Sequence, residues 1–255
     1  MKTQYDQELL NNGHKKYIVE PELWSIEIGD APCTVTMQWE NENTEMTFDP
    51  GWKGLMAVKR SSLEVVSGCL PYQPMDIEIM AKLQAFIDKS MNDKVEKTSP
   101  QHYFATIKMD DDLLLTSRRD IEYWLLRQTL NPTAGMEKFI ALLRNTEWYW
   151  LVYFLLDKFN GSSKLQDLGQ RYGLSASHFR RLSRRALGNT TKVTLRDWRM
   201  GKAVLALIDE EQNLTDIAFE HGYSSLSHFS NQVKETLGVS PRGLRHLITS
   251  PTQLN

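Results

Sequence analysis

Four arginines, Arg180, Arg181, Arg184 and Arg185, fall within six residues of one another in the last third of this 255-residue chain. A guanidinium is always charged and presents a planar fork of donors. That fork fits the edge of a guanine or the oxygens of a phosphate. Arg180 and Arg181 stand near the start of a predicted helix, where contact with base edges is expected. Arg184 and Arg185 come a turn later and fit phosphate better. Ser177 and His178 open the same helix. The competing reading of the arginine run is an ordinary solvated helix face, and His178 can equally pack or cap.

Other chemistry finds little support. Asp110, Asp111 and Asp112 are consecutive, so their side chains diverge and read as an acidic loop. The six histidines stand at 14, 102, 178, 221, 228 and 246, and no two in the N-terminal half have metal-ligand spacing. Neither a glycine-rich phosphate loop nor a nucleophile elbow occurs. The two cysteines, Cys33 and Cys69, are too few for a disulfide framework or a four-ligand zinc site and are expected to be free. No catalytic residue, metal site or cofactor is expected, and the chain is not expected to be an enzyme.

The arginines lie inside a repeat. Leu165-Gln-Asp-Leu168-Gly-Gln-Arg-Tyr-Gly173-Leu-Ser175 matches Leu214-Thr-Asp-Ile217-Ala-Phe-Glu-His-Gly222-Tyr-Ser224 at an offset of 49. One inserted residue later, Ser177-His178-Phe179 matches Ser227-His228-Phe229 at an offset of 50, and Leu187-Gly188 matches Leu237-Gly238. Constant offsets of this kind mark a duplicated structural unit. Each copy has the grammar of a helix-turn-helix. Ser163 with Gln166, and Asn213 with Asp216, can cap the first helices. Leu165, Leu168 and Tyr172, and Leu214, Ile217 and Ala218, face inward. Gly173 and Gly222 end these helices where a left-handed residue is wanted. Ser175 and Ser224 or Ser225 cap the second helices. Between the copies, Val193 to Ile208 is a helical pattern whose rise gives a rod of roughly 25 Å. Two units joined by it can reach major grooves one turn, about 34 Å, apart.

The copies differ in charge. Against the four arginines of the first, the second has Ser230-Asn231-Gln232-Val233-Lys234. The first is therefore expected to supply most of the affinity and the second modest readout through Ser227, His228 and Asn231. The whole chain is similarly divided. Its net charge of −2 splits into 17 Lys+Arg against 24 Asp+Glu over residues 1–158, and 13 against 8 over 159–255. A basic end on an acidic body suits a polyanion partner for that end.

Upstream, residues 1–16 are polar, lack periodicity and read as a flexible tail. From Tyr17 to Ile79 short alternating runs, such as Trp24 to Ile28 and Thr34 to Trp39, are separated by turn residues. They predict a small antiparallel sheet or partial barrel. After Pro71 and Pro74 the period becomes helical, with an apolar stripe of Ile77, Ile79, Met80, Leu83, Phe86 and Ile87, a loop at 89–101 and further helices predicted at about 117–130, 135–145 and 147–159. Gly161-Ser162-Ser163 marks a linker. The fold class is α+β: a β-rich N-terminal segment (a partial cupin-like sheet), a helical middle, and an all-α C-terminal domain with two helix-turn-helix units joined by a long helix. The corresponding domains are a tail at 1–16, a regulatory or partner-binding domain at 17–158 (β-rich 17–75, helical 76–158), and a DNA-binding domain at 159–250. The longest apolar stretch, around Trp148 to Leu156, is far short of the roughly 20 residues that span a bilayer, and the N-terminus lacks secretory-signal features. No membrane association is expected, and a cytoplasmic, nucleoid-associated location is.

Ile217-Ala218-Phe219-x-x-Gly222-Tyr223-x-x-x-Ser227-x-Phe229, then Lys234 and Gly238-Val239-Ser240-Pro241-x-x-x-Arg245, resemble the signature of the AraC/XylS transcription activators. Ser175-x-x-x-Phe179-x-Arg181 resembles its counterpart in the first motif. The resemblance covers about 40% of the chain and implies sequence-specific binding of double-stranded DNA and recruitment of RNA polymerase. Its base-contacting positions fall on Ser177, Arg180 and Arg181 in the first motif and on Leu226, Ser227 and Asn231 in the second. The chain departs from the family at Ser183 and Val233, where an aromatic is usual, and at Asn231, where a basic residue is common. The departures bear on the strength of DNA contact by the second motif. A narrower resemblance, to the family's activators of type III secretion and invasion genes, rests on five stretches. These are Glu122 to Leu126, Ala141 to Arg144, Tyr149 to Val152, Ser177 to Leu182 and Trp198-Arg199-Met200. It implies a small secretion chaperone as co-activator. Two alternatives remain for the N-terminal half: a small-molecule effector in the sheet, with Trp24, Trp39 and Trp52 lining a pocket or packing the core, and a protein-binding surface on the aromatic run Glu147 to Phe154.

Overall fold

The computed structural model describes residues 6–91, 95–96, 102–109, 118–159, 164–187, 191–208 and 212–249. The acidic run Asp110 to Asp112, the linker Gly161-Ser162-Ser163 with the serine expected to cap the helix after it, Gly188 and most of the loop expected at 89–101 lie outside them. The chain divides into two compact units, Met1–Tyr153 and Phe154–Asn255.

The first unit begins with eight strands: β1 (Glu8–Asn11), β2 (Lys15–Ile18), β3 (Glu22–Glu27), β4 (Cys33–Trp39), β5 (Glu42–Phe48), β6 (Lys53–Val58), β7 (Ser61–Ser67) and β8 (Cys69–Met75). Helix α1 (Ile77–Ser90), strand β9 (Phe104–Lys108) and helices α2 (Arg118–Leu130), α3 (Met136–Arg144) and α4 (Glu147–Lys158) follow. The strands form two antiparallel sheets, ordered β1-β8-β3-β6-β9 and β2-β7-β4-β5. Alternation explains the first of two cores. Cys33, Val35 and Met37 of β4 point inward and meet Trp24, Ile26, Met56 and Val58 between the sheets. Strand β6 is buried on both faces. Met56 and Val58 join that core, while Leu55 and Ala57 point the other way into a second core with Met80, Ile121, Trp124, Phe139 and Leu143 of the helices. Such a strand reads as a continuous apolar run.

Residues 8–16 are not a loose tail: β1 pairs with β8 and β2 with β7, so main-chain hydrogen bonds order a stretch whose side chains are too polar to signal it. The helical middle also contains β9, which adds to β6 at the sheet edge through Ala105 and Ile107. A buried polar cluster ties α1, α3 and α4. The Asp88 carboxylate accepts from Arg144 at 2.7 and 2.9 Å, from Gln84 Nε2 at 2.9 Å and from the Tyr149 hydroxyl at 2.5 Å. Burial, then that hydrogen bond to Asp88, pushes the Tyr149 hydroxyl well above its usual pKa, so it stays a donor.

The second unit contains α5 (Leu165–Tyr172), α6 (Ala176–Leu187), α7 (Thr191–Leu205) with a 3-10 turn at Ala206–Ile208, α8 (Leu214–Glu220), α9 (Leu226–Leu237) and α10 (Pro241–Thr249). Its boundary falls inside α4, not at the expected 158/159. Phe154 packs on Tyr172 at 5.0 Å and Phe179 at 6.4 Å between ring centroids, and so the end of α4 joins the first helix-turn-helix.

Candidate nucleic-acid interface

Both turns are built alike. In the first copy Gly173 has φ 85°, Leu174 N–H donates to Gly169 C=O at 2.9 Å and Gly173 N–H to Gln170 C=O at 3.0 Å. In the second Gly222 has φ 74°, Tyr223 N–H donates to Ala218 C=O at 2.9 Å and Gly222 N–H to Phe219 C=O at 2.9 Å. These are the paired bonds of a Schellman ending, which needs a left-handed residue and so favours glycine.

The next helix is capped in each case. His178 N–H donates to Ser175 Oγ at 3.3 Å, and His228 N–H to Ser225 Oγ at 3.1 Å. The capping serine of the second copy is therefore Ser225, and the residue inserted between the copies is Ser224, whose hydroxyl meets His228 Nδ1 at 3.1 Å. Asn213 caps α8 through the N–H groups of Thr215 and Asp216 at 2.9 and 2.8 Å.

Each second helix then presents a sorted surface. On α6, Phe179, Leu182, Ser183 and Ala186 are buried, and Ser177, His178, Arg180, Arg181, Arg184 and Arg185 are exposed. On α9, Phe229 and Val233 are buried, and Ser227, His228 and Asn231 are exposed. Nine of the ten residues predicted to touch DNA thus lie on the outer faces of the two helices that the repeat singles out. Leu226 differs: it is half-buried and packs against the core formed by Met200, Ala203, Leu207, Ile217, Tyr223 and Phe229. His228 also packs, edge-on to Tyr223 at 5.3 Å.

Four arginines on one face make a strongly positive surface, while the equivalent face of α9 is nearly neutral. Such a surface attracts a polyanion, and releasing condensed counterions from it makes binding salt-dependent. Among the described residues no group of three or more His, Cys, Asp or Glu is placed to hold a metal ion, and no helix is long and apolar enough to cross a membrane.

A helix-turn-helix domain family matches residues 168–246, which contain most of both copies. Over 202 residues the chain is 41% identical to the invasion protein InvF of Salmonella typhi and Salmonella typhimurium, covering 76% of this chain and 89% of that protein. The chain belongs to the InvF-like branch of the AraC-type transcription activators. The transcriptional regulator MxiE of Shigella flexneri is 28% identical over 208 residues, 80% of this chain and 98% of MxiE. The solved structure of ToxT from Vibrio cholerae aligns with 97% of this chain and 99% of its own at 12% identity and a TM-score of 0.38, a likeness too loose to carry weight. As a member of the InvF-like branch the chain is a DNA-binding regulator, not an enzyme.

Several working residues have no signal in the spacing. Arg245, noted only as part of the family signature, donates to Leu207 C=O at 3.2 Å and Gln212 C=O at 2.8 Å, tying α10 to the segment before α8. Ser240 caps α10, with Pro241 in its first turn, where a missing N–H costs nothing. Lys202 Nζ donates to Leu156 C=O at 2.6 Å, at the C-terminal end of α4, where a cation is favoured. In the first unit, Trp24 is fully buried against Tyr72, Trp52 packs on Phe48 and Trp39 on Tyr103 and Phe104. These tryptophans pack.

Proposed function

We propose that this InvF-like activator switches on invasion and type III secretion genes by laying α6 and α9 in two adjacent major grooves of one duplex. Ser177, Arg180 and Arg181 read base edges from the first groove, and Arg184 and Arg185 hold phosphates. Ser227, His228 and Asn231 read the second groove more weakly, with Leu226 shared between that contact and the core. RNA polymerase is recruited to the bound promoter, and a small secretion chaperone docks on the first unit as co-activator. The protein works in the cytoplasm, on the nucleoid.

The observation that carries this reading is the arginine face of α6, exposed on a helix whose opposite face is sealed into the core. The relatives support the gene class: InvF is named for invasion and MxiE as a transcriptional regulator. The test is selection of duplexes from a random pool by the full-length chain at several salt concentrations, beside a variant with Arg180 and Arg181 both changed to Ala. A shared sequence should emerge with the native chain and vanish with the variant. Sequence-blind binding by the native chain would refute autonomous readout. Adding the chaperone should raise transcription from a promoter carrying the selected sequence, and an unchanged yield would remove it as co-activator.

A further inference from the structure

The linking helix α7 does more than span the distance between the motifs. Arg199, half-buried on α7, spreads its guanidinium across the second motif. Nη1 donates to the Gly222 carbonyl at 3.3 Å, Nη2 to Gln232 Oε1 at 3.3 Å, and Cζ stands 4.3 Å from the centre of the Tyr223 ring. Gly222 is the turn between α8 and α9, and Gln232 lies in the middle of α9. The Tyr223 ring is itself packed on Phe229 at 5.0 Å. One side chain thus holds the turn, the helix expected to enter the groove, and the aromatic beneath it.

Beside Arg199 lies an apolar contact, in which Met200 and Ala203 of α7 and Leu207 of the 3-10 turn meet Ile217, Ala218, Phe229 and Val233. Apolar contact is strong but not directional, and it tolerates small slides and rotations. A planar fork with fixed donor directions does not. Rotating α9 about its axis breaks the bond to Gln232, and sliding the turn and α9 together along α7 breaks both hydrogen bonds and the ring contact. The first motif is held to its preceding helix differently, by the rings of Phe154, Tyr172 and Phe179.

We propose that Arg199 is a positioning residue that fixes the orientation of α9 on the linking helix, and through it the base-pair spacing between half-sites that this activator accepts. The proposal rests on the two-groove reading above. One extra base pair carries the second groove about 3.4 Å along the axis and turns it by roughly a tenth of a revolution. A rigidly held α9 cannot follow that displacement.

The full-length protein is tested on its selected duplex and on derivatives with one base pair removed, one added or two added between the halves. A further duplex keeps only the half-site whose base preferences disappear in Arg181→Ala. The native chain should lose about tenfold in affinity for each base pair of misspacing, comparable to a mismatched base. Arg199→Met keeps the length and the apolar packing, and Arg199→Lys keeps the charge without the fork. Both should flatten the spacing preference to within about threefold, as a lost set of positioning hydrogen bonds would, while affinity for the single half-site stays unchanged. Gln232→Leu, which leaves Arg199 in place, should flatten it in the same direction and answers the question should either arginine variant fail to fold. A native preference that survives intact in these variants overturns the role of Arg199 alone. A native chain indifferent to spacing overturns the two-groove reading and this proposal with it.

Discussion

Phe179 and Phe229 occupy the same place in two copies of one scaffold, each fully buried beneath its second helix, yet the outer faces above them have little in common. Above Phe179 stand four arginines. Above Phe229 stand serine, histidine and asparagine, and the histidine has local partners, His228 meeting Ser224 and Tyr223. The supports differ too, with rings behind the first motif and the Arg199 fork behind the second. Duplication has kept what makes the fold, namely the caps, the left-handed glycines and the buried phenylalanines. It has let the outer surfaces diverge, one toward four arginines and the other toward neutral polar side chains.

The shared scaffold is broken most severely at its core. Phe179→Ala and Phe229→Ala should each destabilise the second unit by about 3–5 kcal/mol, the cost of emptying a fully buried aromatic position. Urea unfolding followed by circular dichroism measures both, and a cost below about 1 kcal/mol at either position would show that the copies are not equivalent. Affinity should then separate them. Arg181→Ala should cost about 1–3 kcal/mol on the selected duplex and relax its specificity. Asn231→Ala should cost less than about 1 kcal/mol, within the range of a single neutral hydrogen bond. Fluorescence anisotropy titrations give both values, and equal losses would contradict the division of labour.

Smaller effects sharpen the comparison. Ser183 and Val233 are equivalent and fully buried, but the Ser183 hydroxyl has no hydrogen-bond partner among the described residues. Ser183→Ala should therefore leave stability unchanged or raise it by up to about 1 kcal/mol, whereas Val233→Thr should lower it by about 1–3 kcal/mol by burying a new hydroxyl. Matched thermal melts decide this, and a clear loss in Ser183→Ala would point to a partner for that hydroxyl.

The smallest effect depends on pH. His221 stands where the first copy has Tyr172, and burial holds its pKa below the ordinary 6.5. The unfolded chain then binds the proton more tightly, so the second motif has its full stability above about pH 6.5 and loses some as pH falls below that value. His221→Gln should flatten the melting temperature between pH 7.5 and 5.5, and a slope equal to that of the native chain would assign the dependence to other groups.

The second unit was legible because its rules are local. A glycine that must be left-handed, a serine that must cap and an apolar residue every third or fourth position all leave marks in the sequence. Repetition at offsets of 49 and 50 then separates those marks from chance. The first unit follows long-range rules. Strand β1 is ordered by β8, some sixty residues away, and its own side chains are mostly exposed, so nothing local distinguishes it from a tail. Strand β9 belongs to the sheet only because Ala105 and Ile107 meet a core assembled from β6 and three helices. The tertiary roles of Arg199, Lys202 and Asp88 were invisible for the same reason. Their partners are carbonyls, amides or a distant guanidinium, which carry no periodicity. The outer faces of α6 and α9 were legible from the motif spacing, and Leu226 was the exception because position within a motif does not fix how deeply a side chain is packed.

The unequal division between the motifs is tested most directly by scrambling each half of the selected duplex in turn and titrating the full-length chain against both. The half read by α6 is the one whose base preferences disappear in Arg181→Ala. Scrambling it should drop binding to the sequence-blind level, a loss on the order of a hundredfold or more, while scrambling the other half should cost about tenfold or less. Equal losses, or a larger loss from the half read by α9, would contradict the assignment of affinity to the arginine face of α6.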